Sequence, residues 1–162
     1  MTYIEEFADI FLGDNKDVYY AQCISADFGM GAGIAVAFNR RMNCKSEILK
    51  LYPNTLINEF DRNVAPLCVL TNRCFNLITK RNYWNKPDYK SFSKTLSALK
   101  QQIIAMHIKK LTIPPLGCGL DKLSYDRVRE LIFEYFNDTD IEIICRTNNL
   151  TFRNNNFKYE RT

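Results

Sequence analysis

Lys80 and Asp121 carry the side chains of this chain that are best suited to reaction chemistry. Lys80 follows an apolar run over residues 74–79, and Asp121 closes a glycine-rich turn. A lysine amine is a nucleophile only after it loses its proton, which partial burial and the neighbouring positive charge of Arg81 both favour. Asp121 supplies a base for that step. An ordinary surface lysine paired with a carboxylate is the alternative that these residues leave open.

Two glycine-rich segments are suited to holding a diphosphate through the main chain. Residues 29–33 read Gly-Met-Gly-Ala-Gly and residues 117–121 read Gly-Cys-Gly-Leu-Asp, each between a strand pattern and a helix pattern. Glycine lets main-chain N–H groups approach an anion, and a helix N-terminus favours negative charge. The first segment is neither a Rossmann fingerprint nor a Walker A loop. Two such cradles with one amine and one acid indicate an enzyme that acts on a nucleotide sugar, whereas tight turns with close helix packing are the alternative.

The elements that position these residues are alternating strands and helices. Strands are predicted over residues 2–6, 18–24, 65–70, 74–79, 111–113 and 141–145, and helices over 30–43, 46–51, 88–109 and 124–136, the last with Ser124 as its N-cap. In the first helix, Ile34, Ala35 and Phe38 are spaced for one buried face. The alternation predicts an α/β fold with a mixed, largely parallel sheet and helices on both faces. Loops at the carboxyl ends of such strands gather where ligands bind.

The composition predicts one domain outside membranes. The chain has 162 residues, of which 46% are hydrophobic and 13% aromatic, enough for a core. Its net charge of +4 is compatible with a polyanionic ligand but does not establish one. No apolar run approaches the roughly 20 residues of a membrane span, and the first residues do not resemble a secretory signal. We therefore expect a cytoplasmic or nuclear protein with no membrane contact.

The cysteines and the histidine do not predict a metal site. The six cysteines contain no C-x-x-C pair, so free thiols in a reducing compartment are expected. His107 is the only histidine, and we interpret it as a packed or half-exposed residue within a helix. No zinc signature follows from these residues, and the proposed chemistry needs no metal or other cofactor.

Five short segments form a recognisable set. They read Cys-Ile-Ser at 23–25, Met-Gly-Ala-Gly-Ile-Ala at 30–35, Leu-Ile-Thr-Lys at 77–80, Lys-Pro followed by Tyr89 at 86–89, and Gly-Cys-Gly-Leu-Asp at 117–121. With this set the chain resembles macrodomains, and within them the terminal ADP-ribose protein glycohydrolase type. The separation of Lys80 and Asp121 matches the catalytic pair of that family. The resemblance covers about residues 1–147, which implies a macrodomain there and an Asn-rich, basic tail over residues 148–162.

The resemblance implies a three-layer α/β/α sandwich that binds ADP-ribose in a cleft. Asp9 would accept a hydrogen bond from the adenine amino group, and the main chain of Ile10 would help to place that ring. Ser25 and residues 31–33 would hold the distal ribose and the phosphates, and residues 115–121 would wrap the diphosphate and the terminal ribose. The implied substrate-binding residues are Asp9, Ile10, Ser25, Met30, Gly31, Ala32, Gly33, Pro115, Leu116, Gly117, Cys118, Gly119, Leu120 and Thr147.

The resemblance also implies a reaction. Lys80 would attack the anomeric carbon of the terminal ribose to give a covalent lysyl–ADP-ribose intermediate, and Asp121 would act as general acid and base. The leaving group in this family is a glutamate or aspartate side chain. The implied partners are ADP-ribose and ADP-ribosylated protein, with ADP-ribosylated nucleic acid as a further possibility, and we expect a monomer.

Three other functions stay open from the sequence. A non-catalytic ADP-ribose reader would need the same cradles without Lys80 or Asp121. An ADP-ribose 1″-phosphate phosphatase would use water as the nucleophile. A DNA de-ADP-ribosylase would release ADP-ribose from a nucleobase, and the basic tail with Phe152, Phe157 and Tyr159 is compatible with nucleic acid.

The chain departs from the family pattern at two positions near the expected adenine site. Ala8 stands where the family has glycine before the aspartate, and Arg146 stands where a relative has an aromatic residue. We therefore expect the edge and the stacking face of the adenine site to differ from those of relatives.

Overall fold

A single mixed sheet organises the chain, and the computed structural model describes residues 1–119, 121–149 and 158–160 of it. The described strands form a seven-stranded sheet in the order β3-β4-β2-β5-β6-β1-β7. The strands are β1 Thr2–Phe7, β2 Val18–Ser25, β3 Cys68–Thr71, β4 Cys74–Lys80, β5 Lys110–Ile113, β6 Glu142–Thr147 and β7 Lys158–Glu160. The helices are α1 Ile34–Met42, α2 Cys44–Leu51, α3 Ile57–Asp61, α4 Tyr89–Ala105 and α5 Tyr125–Phe136. None of the helices in the described residues combines the length and the apolar character that a bilayer crossing requires.

The direction of the strands decides where their ends meet. Strands β4, β2, β5, β6 and β1 are mutually parallel, so all of their carboxyl ends lie along one edge of the sheet. The antiparallel members are β3, which forms a hairpin with β4, and β7, which pairs with β1. Helices α4 and α5 contribute to the core on one face, and α1 and α2 to the core on the other. The predicted α/β sandwich with a mixed, largely parallel sheet is confirmed.

Helix α4 shows why the local sequence folds as it does. Asp88 at its N-cap accepts a hydrogen bond from the Ser91 N–H at 2.6 Å, and the residues Phe92, Leu96, Leu99 and Ile103 recur at helical spacing and are buried. The helix ends at Ala105, four residues before the predicted end at Lys109. His107 follows it in a left-handed conformation with φ of 55° and is exposed, so its predicted place within a helix is wrong. The left-handed turn ends the helix and returns the chain to β5.

Helix α1 begins later than predicted. Residues 30–33 form part of the loop, because Gly33 has φ of 65° and ψ of −149°, a conformation that is essentially restricted to glycine. Phe38 is fully buried as expected, but Ile34 is 39% exposed and faces the cleft described below instead of the core. The predicted common buried face of Ile34 and Phe38 is therefore wrong.

Two elements were not predicted. Helix α3 is short, and strand β7 lies in the segment that the sequence indicates as a tail. In β7 the backbone of Tyr159 pairs with Tyr3, and its ring lies 4.8 Å from the ring of Phe133. Part of the segment after residue 147 thus extends the sheet beyond β1.

The strand order places a crevice between β2 and β5. After β2 the chain passes through α1 and α2 on one face of the sheet and through β3 to β4, which lies beside β2. Helix α4 then crosses the other face and leads to β5, which lies on the opposite side of β2 from β4. The loops after β2 and β5 therefore leave neighbouring strand ends toward opposite faces. In open α/β sheets, ligands bind at such a switch point.

Candidate active site

A cleft of about 1110 Å³ lies at this carboxyl edge. It collects the sequence-predicted residues from five separate segments of the chain. Those that line it are Asp9, Ile10, Ser25, Met30, Gly31, Ala32, Gly33, Lys80, Pro115, Leu116, Gly117, Cys118, Gly119, Asp121 and Thr147. The remaining predicted residue, Leu120, lies outside the described residues.

The strand order also arranges these segments in space. Lys80 ends β4, Ser25 ends β2, the second glycine loop follows β5, Thr147 ends β6, and Asp9 follows β1. Four strand-to-strand steps separate β4 from β1, and each step is about 4.8 Å, so Lys80 and Asp9 lie on the order of 19 Å apart along the edge. The cleft is therefore elongated, with the lysine at one end and Asp9 at the other.

Lys80 and Asp121 form an ion pair at the first end. The ammonium nitrogen Nζ of Lys80 donates to Oδ1 of Asp121 and, at 2.9 Å, to the main-chain oxygen of Tyr83. The side chains are only 11% and 12% exposed. A pair shielded from water interacts more strongly than a surface pair, and the two acceptors restrict the position of the amine.

Arg81 does not take the role expected from its position beside Lys80. Its Nε and Nη2 donate to the carboxylate of Asp61 at 2.8 and 3.1 Å. The charge of Arg81 is thus matched by a carboxylate on α3. The nearest charged partner of the Lys80 amine is Asp121, so the expectation that Arg81 activates Lys80 gains no support from the geometry.

The first glycine loop is held by Asp27, which the sequence analysis missed. The carboxylate of Asp27 accepts hydrogen bonds from Ser25 Oγ at 2.5 Å, from Gly29 N at 3.0 Å and from Tyr83 N at 3.1 Å. An aspartate that accepts from the main chain two residues later is typical of an Asx turn, so the Asp-Phe-Gly sequence was an available signal. Among the described residues, no side chain caps the N-terminus of α1, and its first N–H groups are therefore available to an anion in the cleft.

The second glycine loop turns its backbone toward the cleft. Leu116 and Cys118 are buried, and the Cys118 N–H donates to the oxygen of Pro115 at 3.1 Å. Gly117 has φ of 69°, and its oxygen accepts from the Leu123 N–H at 2.7 Å. Burial is the largest cause that raises the pKa of the Cys118 thiol to about 12, so this cysteine is a neutral packing residue and not a nucleophile.

The opposite end of the cleft is built by the loop after β1 and the end of β6. Asp9 Oδ1 accepts from the Phe11 N–H at 2.9 Å, and Thr147 O accepts from the Ala8 N–H at 3.0 Å. Arg146 lines the cleft beside them, with Nε donating to Glu6 at 2.8 Å and Nη1 to the oxygen of Leu12 at 2.5 Å. These bonds hold the planar guanidinium in place at the edge of the cleft, where it can stack on an aromatic ring.

Several other lining residues were not predicted as part of the site. They are Cys23, Ile24, Ile34, Ala35, Ala37, Lys45, Tyr83, Pro114, Asn148 and Asn149. Gly29 and Arg146 also line the cleft, as expected for the first glycine cradle and for the adenine site. Most of the unpredicted residues are neighbours of predicted residues. Lys45 is different, because it comes from α2 and nothing in its local sequence indicates a ligand-binding role.

The chain is similar to known proteins over most of its length. It is 35% identical over 147 residues to the human ADP-ribose glycohydrolase OARD1, a match that covers 91% of this chain and 91% of that protein. The corresponding bovine protein is 34% identical over 147 residues, which again cover 91% of this chain and 91% of that protein. No protein-family model matches the chain.

Solved structures share its fold at lower identity. The macrodomain of Mycobacterium tuberculosis DarG superposes with a TM-score of 0.70 at 20% identity, covering 89% of this chain and 96% of that one. The macrodomain of Thermus aquaticus DarG gives 0.69 at 17% identity, with coverages of 90% and 97%. Thermosipho africanus DarTG, whose structure holds ADP-ribose, gives 0.65 at 18% identity, covering 90% of this chain and 41% of that one.

Proposed function

The chain belongs to the ADP-ribose glycohydrolase family of macrodomains, and from that premise we propose that it removes mono-ADP-ribose from acidic side chains through Lys80 and Asp121. The chain is a hydrolase whose substrate carries ADP-ribose. The ADP-ribosylated protein would supply the acceptor carboxylate. The proposed catalytic domain comprises residues 1–147, and β7 adds one strand to its edge.

The observation that carries the proposal is the shielded Lys80–Asp121 pair at one end of an elongated cleft. A reader that only binds ADP-ribose needs the glycine loops but has no use for an amine held against a carboxylate. The amine lies next to both glycine loops, because β4 is adjacent to β2 and the Lys80 amine pairs with Asp121 at the end of the loop after β5. A sugar attached to a diphosphate in those loops would therefore meet the amine.

The substrate would lie along the edge in one direction. The N–H groups of the loop before α1 and the backbone of residues 115–119 would hold the two phosphates between β2 and β5. The adenine would reach Asp9, whose second carboxylate oxygen can accept from the amino group, and the guanidinium of Arg146 would stack on the ring. The terminal ribose would then lie at Lys80.

The reaction has two steps with balanced proton transfers. Asp121 takes a proton from the Lys80 ammonium, and the freed electron pair forms a bond to the anomeric carbon as the bond from that carbon to the acceptor carboxylate breaks. The proton passes from Asp121 to the departing carboxylate. In the second step Asp121 accepts a proton from water, whose oxygen attacks the same carbon, and the amine leaves and regains its proton.

The experiment compares two lysine variants on a peptide that carries glutamate-linked ADP-ribose. Lys80→Ala is expected to abolish release of ADP-ribose while calorimetry still shows ADP-ribose binding. Lys109→Ala is the matched control, because it also removes a lysine paired with an aspartate, Asp140, at 2.7 Å but lies on the surface. Equal turnover by Lys80→Ala and the unaltered protein would refute the assignment of the nucleophile.

The covalent step has its own measurement. A brief incubation of the unaltered protein with the same peptide, followed by rapid denaturation, is expected to leave a fraction of protein that is heavier by one ADP-ribosyl group. The same treatment of Lys80→Ala is expected to leave its mass unchanged. Thymidine-linked ADP-ribose and ADP-ribose 1″-phosphate belong in the same panel. If the protein turns over either compound in preference to the glutamate-linked peptide, the acceptor is a nucleobase or a phosphate and not an acidic side chain.

A further inference from the structure

Asp27 joins two segments that are far apart in the sequence. Its Oδ1 accepts from Ser25 Oγ at 2.5 Å and from Gly29 N at 3.0 Å, both in the loop after β2. Its Oδ2 accepts from Tyr83 N at 3.1 Å, in the segment after β4. Its own N–H donates to the oxygen of Arg81 at 3.1 Å. Both the side chain and the main chain of Asp27 therefore connect the first glycine loop to the segment that follows Lys80.

The link continues to the reactive amine. The peptide group of Tyr83 is held at its N–H by Asp27, and its oxygen accepts from Lys80 Nζ at 2.9 Å. Tyr83 is 60% exposed, so burial contributes little to holding this residue. The hydrogen bond from the Tyr83 N–H to Asp27 is thus a principal restraint on the carbonyl that positions the amine.

A steric contact supports the same link. A methyl group added at Gly29 would lie 2.7 Å from Cδ1 and 2.8 Å from Cβ of Tyr83. The glycine loop and Tyr83 are therefore in direct contact at the point where Asp27 joins them. A shift of either segment must be transmitted to the other.

We infer that Asp27 is a positioning residue, which holds the Tyr83 carbonyl so that the Lys80 amine faces the sugar bound by the first glycine loop. A neutral amine has two N–H groups and one lone pair. With one N–H donated to the Tyr83 oxygen, rotation about the last side-chain bond is restricted, and the lone pair is limited to the two remaining staggered positions. This inference rests on the proposed function, because it assigns Asp27 a role in the step that Lys80 performs.

The role requires a carboxylate. Both oxygens of Asp27 face donors, and an amide offers only one acceptor. Burial raises the pKa of Asp27, but the hydrogen bonds from Ser25, Gly29 and Tyr83 lower it by more, so the pKa lies below its usual value. Asp27 is therefore ionised under all conditions near neutral pH.

Asp27→Asn separates the two halves of the link. The amide oxygen is expected to stay on the side of Ser25 and Gly29, where there are two donors, which turns the NH2 group toward the Tyr83 N–H. The glycine loop is then kept and the Tyr83 restraint is lost. We expect kcat on the glutamate-linked peptide to fall about tenfold or more, with KM and the ADP-ribose Kd within about threefold, because a small displacement of a reacting group is costly to the rate.

The matched control is Asp61→Asn, which makes the same chemical change in the partner of Arg81, next to the same segment. It is expected to leave kcat and KM unchanged. A kcat for Asp27→Asn equal to that of Asp61→Asn would overturn the inference. So would a rise in KM and Kd as large as the fall in kcat, since Asp27 would then support only the binding loop.

Two further variants keep the result interpretable. Lys80→Ala is measured alongside, because loss of its activity supports the nucleophilic role of Lys80 independently of Asp27. Full activity of Lys80→Ala would refute the proposed function and not the role of Asp27 alone. If Asp27→Asn does not fold, Gly29→Ala decides by pushing on Tyr83 directly. Because Gly29 also belongs to the first glycine segment, the readout in this variant is kcat at saturating substrate alone. The same loss of kcat is expected, and unchanged kcat would overturn the inference.

Discussion

Gly117→Ala is expected to destabilise the protein by about 2–5 kcal/mol through two effects that the structure separates. Gly117 has φ of 69°, a left-handed conformation that costs a residue with a Cβ about 1–2 kcal/mol. The added methyl group would also lie 2.6 Å from Cδ1 and 3.3 Å from Cγ of Leu123. Leu123 is only 5% exposed and belongs to the core around α4 and α5, so it has little room to move. Forcing a buried side chain aside costs about 1–3 kcal/mol.

The control lies two residues away in the same loop. A methyl group at Gly119 would meet no atom of the described residues within 4 Å, and Gly119 has no positive φ. Gly119→Ala is therefore expected to change the free energy of unfolding by no more than about 0.5 kcal/mol. Urea unfolding of both variants, followed by fluorescence or circular dichroism, measures the difference. For a chain of this length the predicted loss lowers Tm on the order of 10 °C.

A double-mutant cycle separates the steric effect from the backbone effect. In a Leu123→Ala background the clash is absent, so Gly117→Ala should then cost only the backbone contribution of about 1–2 kcal/mol. The difference between the two backgrounds measures the contact with Leu123. Equal stability of Gly117→Ala and Gly119→Ala would refute the reasoning, because the loop would then not have the backbone that the cleft requires.

Two further predictions concern acid stability and nucleobase recognition. Hydrogen bonds from Arg73 lower the pKa of Asp14 in the folded protein. The ionised Asp14 therefore contributes to the free energy of unfolding above its pKa in the unfolded chain, about 3.9, and this contribution is lost as the pH falls through the lower pKa of the folded protein. Asp14→Asn should lower the free energy of unfolding by about 2–3 kcal/mol at pH 7. Between pH 5 and 3 the variant should lose less further stability than the unaltered protein, which urea midpoints at those pH values measure. The same pH dependence of stability in both proteins would contradict this prediction. Asp9→Ala should raise the Kd for ADP-ribose about tenfold and remove the preference for it over inosine diphosphate ribose, whose base lacks the amino group. Calorimetry with both ligands measures this preference, and an unchanged preference in the variant would contradict the prediction.

Much of the architecture was predictable, because it follows from local patterns. The apolar runs that become β2, β4 and β6 lie where they were predicted to within two residues at each end, and the helical period of Phe92, Leu96 and Leu99 identifies α4. These patterns repeat at short range, and burial of one face is enough to select the element. Helix α3 was missed because it has only five residues, too few for a period to be recognised.

The residues of the cleft were found through chemistry and resemblance, but their partners were not. Nothing near Arg81 in the sequence indicates that it pairs with Asp61, twenty positions earlier. Likewise, Asp27 and Tyr83 are brought together only because β2 and β4 are adjacent and parallel, with Ser25 beside Lys80. Hydrogen-bond partners across strands depend on register, which a single segment does not contain.

The amino-acid sequence alone was sufficient to identify a lysine and an aspartate beside two glycine turns at the ends of strands, because residue type and short-range spacing carry that information. Tertiary structure decided that the lysine amine meets Asp121 in a shielded pair, that Ile34 faces the cleft, and that Asp27 joins the glycine loop to the Tyr83 peptide. The physical reason is that burial and hydrogen-bond geometry depend on strand order and register. Both are set by the packing of the whole sheet between its two helical layers.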